Sequence, residues 1–239
     1  MNRNINDRLA TRMGAEARDI DAGLRAYMIQ VYNYMTIGLG MTGVVAYLAA
    51  QSTDLMQTIF MTPLKWVVLL APLGLVIFLS ARLATMSVRA AQGTFFLYSA
   101  LVGLSLSAIF LAFTHDSIAR VFFITGGTFG AMSLYGYTTH KDLTGWGSFL
   151  LMGLIGLIIA SVVNLFMHST ALDFVVSAVG VLIFTGLTAY DTQQIKSMYG
   201  SWGDDHGMGQ KTAIHGALRL YLDFINLFLM LLRIFGDRR

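Results

Sequence analysis

The stretch Ala213–Phe235 reads AIHGALRLYLDFINLFLMLLRIF. At roughly 1.5 Å of rise per residue it is long and apolar enough to cross a bilayer. Yet it carries Arg219, Asp223, Asn226 and Arg233. On a helix, at about 100° per residue, those four and His215 fall within about 40° of one line. The opposite face is Leu, Ile and Phe. A charged side chain facing lipid costs about 2.5–3.5 kcal/mol on insertion scales. The polar line must therefore look into protein or a water-filled cavity. This reading makes the stretch the axis around which the other hydrophobic segments are arranged.

Composition agrees with a membrane setting. Of 239 residues, 56% are hydrophobic and 12% charged, against about 25% charged in soluble domains. Mean hydropathy is +0.64. The chain has no cysteine, which excludes disulfides and thiolate metal sites. A net charge of +3, scattered along the chain, gives no reason to expect a nucleic-acid partner. Glu occurs once, at Glu16, so carboxylate chemistry within the membrane rests on aspartates.

Residues 1–27 are polar and hold Arg3, Arg8, Arg12, Arg18 and Arg25. No apolar run follows directly on a short basic start, so this is read as a partly disordered cytoplasmic tail and not a signal peptide. Residues 28–239 read as a single transmembrane domain of seven helices, an all-α fold. The expected spans are Met28–Ala50, Leu64–Ser87, Phe95–Thr114, Val121–Thr139, Ser148–His168, Phe174–Ile195 and Ala213–Phe235. Gly126, Gly127, Gly130, Gly153 and Gly156 are candidate close-packing positions. Tyr27, Trp66, Trp146 and Trp202, at segment ends, read as interface anchors.

Orientation follows from the basic residues. With the N-terminus inside, the tail arginines, Arg82, Arg89, Lys141, Lys196 and Lys211 are inside, against Lys65, Arg120 and the C-terminal arginines outside. This favours an N-in, C-out topology. It also brings Arg82, Asp191, Arg219 and Asp223 into the inner half of one bundle. Two carboxylates held close cannot both ionise cheaply, so a proton or a cation sits between them. The competing structural reading pairs Arg219 with Asp223 at i, i+4 within one helix. Asn226 reads as a helix–helix hydrogen-bond partner, and His215 as a titrating group at the helix mouth. The histidines lack the i, i+4 spacing of a zinc helix, and no hydrolase elbow or His–Glu-x-x-His motif is present. Asp204–Asp205–His206 is a weak cation candidate on a loop. Neither an enzyme nor a bound cofactor is expected.

Three motifs carry a family resemblance. AYDTQQIK (Ala189–Lys196), ALRLYLDFINLFLMLLRIFG (Ala217–Gly236) and VIFLSAR (Val76–Arg82) are similar to those of the Bax inhibitor-1, lifeguard or TMBIM, family. The resemblance implies a last helix encircled by six others, and a pH-sensitive calcium leak. It implies that Asp191 and Asp223 form the pH sensor and a candidate calcium site, with Arg82 as the latch of the closed state. The missing eukaryote-like extensions suggest a bacterial inner-membrane member. The resemblance also reaches regulators of a membrane-bound protease, which leaves open an interaction protein acting on membrane-protein turnover. The expected partners are thus the lipid bilayer, calcium and protons, with a protease in the second reading.

Overall fold

Turn chemistry decides where the apolar runs stop. In the computed structural model, which describes the backbone of residues 2–201 and 205–239 and the side chains from residue 21 onward except that of His206, nine helices follow in order: α1 (Asn2–Gln51), α2 (Thr53–Phe60), α3 (Leu64–Arg82), α4 (Val88–Leu106), α5 (Ile109–Ala112), α6 (His115–Thr138), α7 (Thr144–Met167), α8 (Thr170–Ser197) and α9 (His206–Phe235). Ser52, Ser87, Thr114, Ser169 and Asp205 each cap a helix start by accepting an amide N–H. Each cap satisfies one orphan donor that hydrocarbon would leave bare. Between α7 and α8 the chain reverses through His168 at φ 51°, with Asn164 Oδ1 accepting from Ser169 N at 3.0 Å.

Five of these elements are long and apolar enough to cross a membrane: α3, the α4–α5 pair, α6, α7 and α8. Their outer faces are covered with large apolar side chains, such as Leu70 and Ile77 on α3 and Phe149, Met152 and Ile159 on α7. An apolar surface of that extent is stable against lipid and not against water.

α9 is the most enclosed element. Ala213, Ile214, Ala217, Leu220, Tyr221 and Leu227 have no exposed surface. Its main neighbours are α8, α1, α6 and α4. The inner helix expected from the sequence is therefore surrounded by four helices, not six. α3 packs chiefly on α4, and α7 on α8, as an outer layer. The chain end is pinned too. Phe113 and Arg238 form an antiparallel bridge, and Arg120 pairs with Asp237 at 2.9 Å.

Several local expectations change. The N-terminal tail is helical and runs without a break into the first span as α1. The third segment is interrupted at Ser107, whose hydroxyl and N–H both donate to Leu104 C=O, at 2.7 and 3.3 Å. That i−3 geometry tightens the turn and ends α4. Tyr27 is buried against Tyr199, ring centroids 5.8 Å apart, so it is a core residue. Trp66 and Trp146 are exposed at the starts of α3 and α7, as anchors should be; Trp202 lies outside the described residues.

The glycines that bring helices together are also different ones. A Cβ on Gly136 would run into the backbone of Ala189, and one on Gly103 into the backbone of Thr42. These positions set the α6–α8 and α4–α1 crossings. Gly126, Gly127, Gly130 and Gly156 meet nothing within 4 Å, and Gly153 meets only the Ile183 side chain.

Buried hydroxyls tie the layers, and their direction can be worked out. Thr192 Oγ1 donates to Thr188 C=O at 2.7 Å, which uses its one hydrogen. It therefore accepts from Ser133 Oγ, 3.0 Å away. Ser133 in turn accepts from Tyr32 O–H at 2.5 Å. One directed chain thus joins α1, α6 and α8. By the same reasoning Thr42, which donates to the Ser99 and Gly38 carbonyls, accepts from Tyr221 O–H at 2.6 Å and joins α1, α4 and α9.

Two measurements check this packing. Gly136→Ala should lower unfolding stability in detergent by about 1–3 kcal/mol through overpacking. Gly126→Ala should raise it by up to about 1 kcal/mol through helix propensity alone. Ser133→Ala removes both hydroxyl links and should cost about twice Tyr32→Phe, itself about 0.6 kcal/mol on the scale of interhelical hydrogen bonds in membranes. Equal losses for the two variants would show that the Ser133–Thr192 link contributes nothing to stability.

Candidate functional site

Helices α8 and α9 run antiparallel and are tied by charge at two levels. Near the start of α8, Asp173 Oδ1 lies 3.5 Å from Arg233 Nη1 and Asp173 Oδ2 3.9 Å from Arg238. Toward the other end, Arg219 Nη2 lies 3.1 Å from Asp191 Oδ1. Arg219 sits one turn before Asp223 on α9. Its ion pair nevertheless crosses to α8, so the two are not a closed intrahelical pair.

Asp191 and Asp223 are 7% and 4% exposed, and their carboxyl groups are close enough to interact electrostatically. Their surroundings offer few donors. Asp223 Oδ2 is buried with no hydrogen-bond partner among the described residues, and Asp191 Oδ1 has the Arg219 ion contact but no aligned donor. Desolvated carboxylate oxygens with vacant lone pairs attract a proton or a cation. One shared proton leaves the pair with a single negative charge, which Arg219 balances. Loss of that proton leaves the cluster net negative.

The remaining residues of the polar line divide up around this pair. His215, one turn before Arg219, is half-buried, and its Nδ1 lacks a partner among the described residues. Asn226 donates to the Leu222 carbonyl of its own helix at 2.8 Å and bridges to no neighbouring helix among the described residues. Arg82 is exposed at the end of α3 and makes no ion pair among the described residues. The link from α9 to that corner is Lys211 Nζ, which donates to Ala84 C=O at 2.9 Å. In this conformation Arg219, and not Arg82, neutralises the pair. Asp205 caps α9 through Met208 N–H at 2.9 Å. Asp204 and the His206 side chain lie outside the described residues.

Among the described residues no three His, Cys, Asp or Glu side chains converge on a common point. The two aspartates therefore offer an incomplete oxygen shell for calcium, which takes six to eight oxygens. Thr192, beside Asp191, ends the hydroxyl chain from Tyr32. Sequence reading missed this chain because its members are 101 and 59 residues apart and share no periodic pattern.

Comparison with known proteins gives the ancestry. The family described as inhibitor of apoptosis-promoting Bax1 matches residues 24–239. An inner membrane protein of Escherichia coli, YbhL, is 52% identical over 221 residues, covering 91% of this chain and 94% of that protein. An uncharacterised protein of Rickettsia prowazekii is 50% identical over 222 residues, 93% of this chain and 94% of its own. A Caulobacter vibrioides protein is 43% identical over 229 residues, 92% of each chain. With the match spanning all but the first 23 residues, the chain belongs to the Bax inhibitor-1 family.

Proposed function

We propose that this protein is a bacterial inner-membrane calcium leak whose opening is set by protonation of the Asp191–Asp223 pair. The observation that carries the reading is two buried carboxyl groups side by side on neighbouring helices, with one arginine as counter-charge. Family membership and the inner-membrane relative support the setting. In this reading the chain crosses seven times, with α1 from about Met28 and α9 added to the five apolar elements, and the N-terminus inside. It catalyses no reaction and carries no resident cofactor; calcium is its cargo and protons its signal.

The sign follows from charge. With one shared proton the pair draws α8 and α9 together, and Arg219 completes neutrality. Losing that proton sets two carboxylates against each other, at about 4 kcal/mol for charges about 4 Å apart in an effective dielectric near 20. A bias of that size shifts a two-state helix packing by nearly three orders of magnitude. The same event leaves a net negative path that attracts calcium. Flux therefore rises with pH.

A second reading, an interaction protein acting on a membrane protease or on membrane-protein turnover, is favoured by the incomplete oxygen shell and the basic N-terminal helix. Deleting residues 2–20 separates the two. A leak retains its flux without them, whereas a tail-dependent interaction loses its partner.

Calcium entry into liposomes holding an internal dye tests the leading reading. Wild type should exceed empty liposomes, and its flux should change across about pH 5 to 8 as the shared proton of the pair is lost. Asp223→Asn should flatten that profile at matched protein density. Wild-type flux equal to empty liposomes at every pH ends the leak hypothesis; an unaltered profile in Asp223→Asn ends the sensor assignment. Arg219→Gln should raise the leak at neutral pH severalfold, while Arg82→Gln leaves it unchanged. The reverse outcome would return the latch to Arg82.

A further inference from the structure

Helices α1 and α6 flank a gap, bridged by the Tyr32–Ser133 hydrogen bond, that forms a groove of about 810 Å³. Met35, Leu39, Phe122, Phe129 and Leu134 line its walls, and Phe224 of α9 reaches into it. Gly40 on one wall and Gly126 and Gly130 on the other also face it, and a Cβ at any of the three would meet nothing within 4 Å. The groove is wide because those side chains are missing. Filled with water at about 30 Å³ each, it would set some two dozen molecules against hydrocarbon walls. An apolar groove on a lipid-facing bundle is filled by acyl chain instead.

One end of the groove has a charge. Arg25 lines it there, about one turn of helix before the apolar part of α1 begins. It is exposed and has no ion pair among the described residues; Asp21, one turn earlier, does not engage it. Tyr137 of α6 lines the same end. Lys196 adjoins that end through Tyr137, donating from Nζ to Tyr137 C=O at 2.8 Å and lying 5.0 Å from the Tyr137 ring centre. It too has no acidic partner among the described residues. Two cations with no carboxylate partner among the described residues, at one end of an apolar groove, are complementary to a phosphate with fatty chains attached.

We infer that the α1–α6 groove is a binding seat for one anionic phospholipid, its acyl chain between Gly40 and Gly126–Gly130 and its phosphate between Arg25 and Lys196. Such a seat is independent of the Asp191–Asp223 pair and of any leak. It holds in either reading of the function.

The test uses the full-length protein reconstituted in vesicles of equal parts phosphatidylcholine and phosphatidylglycerol, then released into mild detergent and weighed by native mass spectrometry. Wild type should retain one phospholipid per chain, phosphatidylglycerol over phosphatidylcholine by about tenfold, a ratio that an unspecific annulus does not give. Gly126→Leu with Gly130→Leu fills the groove where no protein atom stands. It should abolish retention while leaving the thermal midpoint at or above that of wild type. Arg25→Gln with Lys196→Gln should keep a bound lipid but bring the two headgroups to about parity. Equal retention of both headgroups by wild type overturns the proposal, as does undiminished retention in the glycine variant. A dimer that the glycine variant dissociates would assign the groove to a second copy and overturn it equally.

Discussion

A carboxylate on a helix inside hydrocarbon has to be screened by other protein, and that requirement organises this bundle. Asp223 cannot face lipid, so α9 sits inside. Asp191 cannot either, so α8 turns the corresponding face to α9. Arg219 then serves both, because it reaches across the interface instead of folding back on its own helix. With the second pairing of Arg233 to Asp173, α8 and α9 form one antiparallel unit. α1, α4 and α6 close around it, and α3 and α7 need only present apolar faces outward. Removing the cluster's charges would remove the reason for an inner helix.

Much of this was legible in the chain. A single polar line on a long apolar segment placed α9 at the centre, because helical periodicity converts residue spacing directly into direction. The Asp191–Asp223 meeting followed from alternating span orientation. What failed to read through was lateral. Topology predicts the depth of a residue in the bilayer but not its position around the bundle, so Arg82 was expected beside the pair, whereas it stands exposed at the end of α3 with no ion pair among the described residues. Glycine misled for a similar reason. Gly126 and Gly130 have the spacing of a packing motif but face a gap, whereas the isolated Gly103 and Gly136 lie at true crossings. Spacing records which side of its own helix a residue occupies and says nothing of what stands opposite. The break at Ser107 depends on one serine bonding to its own turn, a choice serine makes in some helices and not in others.

The groove and the aspartate pair are chemically distinct, yet they are near neighbours. Phe224, which faces the groove, follows Asp223 in the chain. Helix α9 is thus walled by protein on most sides and meets the groove at one, through the buried ring of Phe224.

The directed hydroxyl chain sets what that opening offers to a visitor. Thr192 commits its hydrogen to a backbone carbonyl, Ser133 commits its own to Thr192, and Tyr32 commits its own to Ser133. Tyr32 therefore turns only lone pairs toward the groove, whose wall it forms. A guest bearing a hydroxyl or an amine finds an acceptor there. A guest bearing only carbonyls finds no donor at Tyr32, unless three rotors on three helices turn together and Thr192 releases its own backbone. What Tyr32 offers the groove is in that sense decided on α8, two helices away.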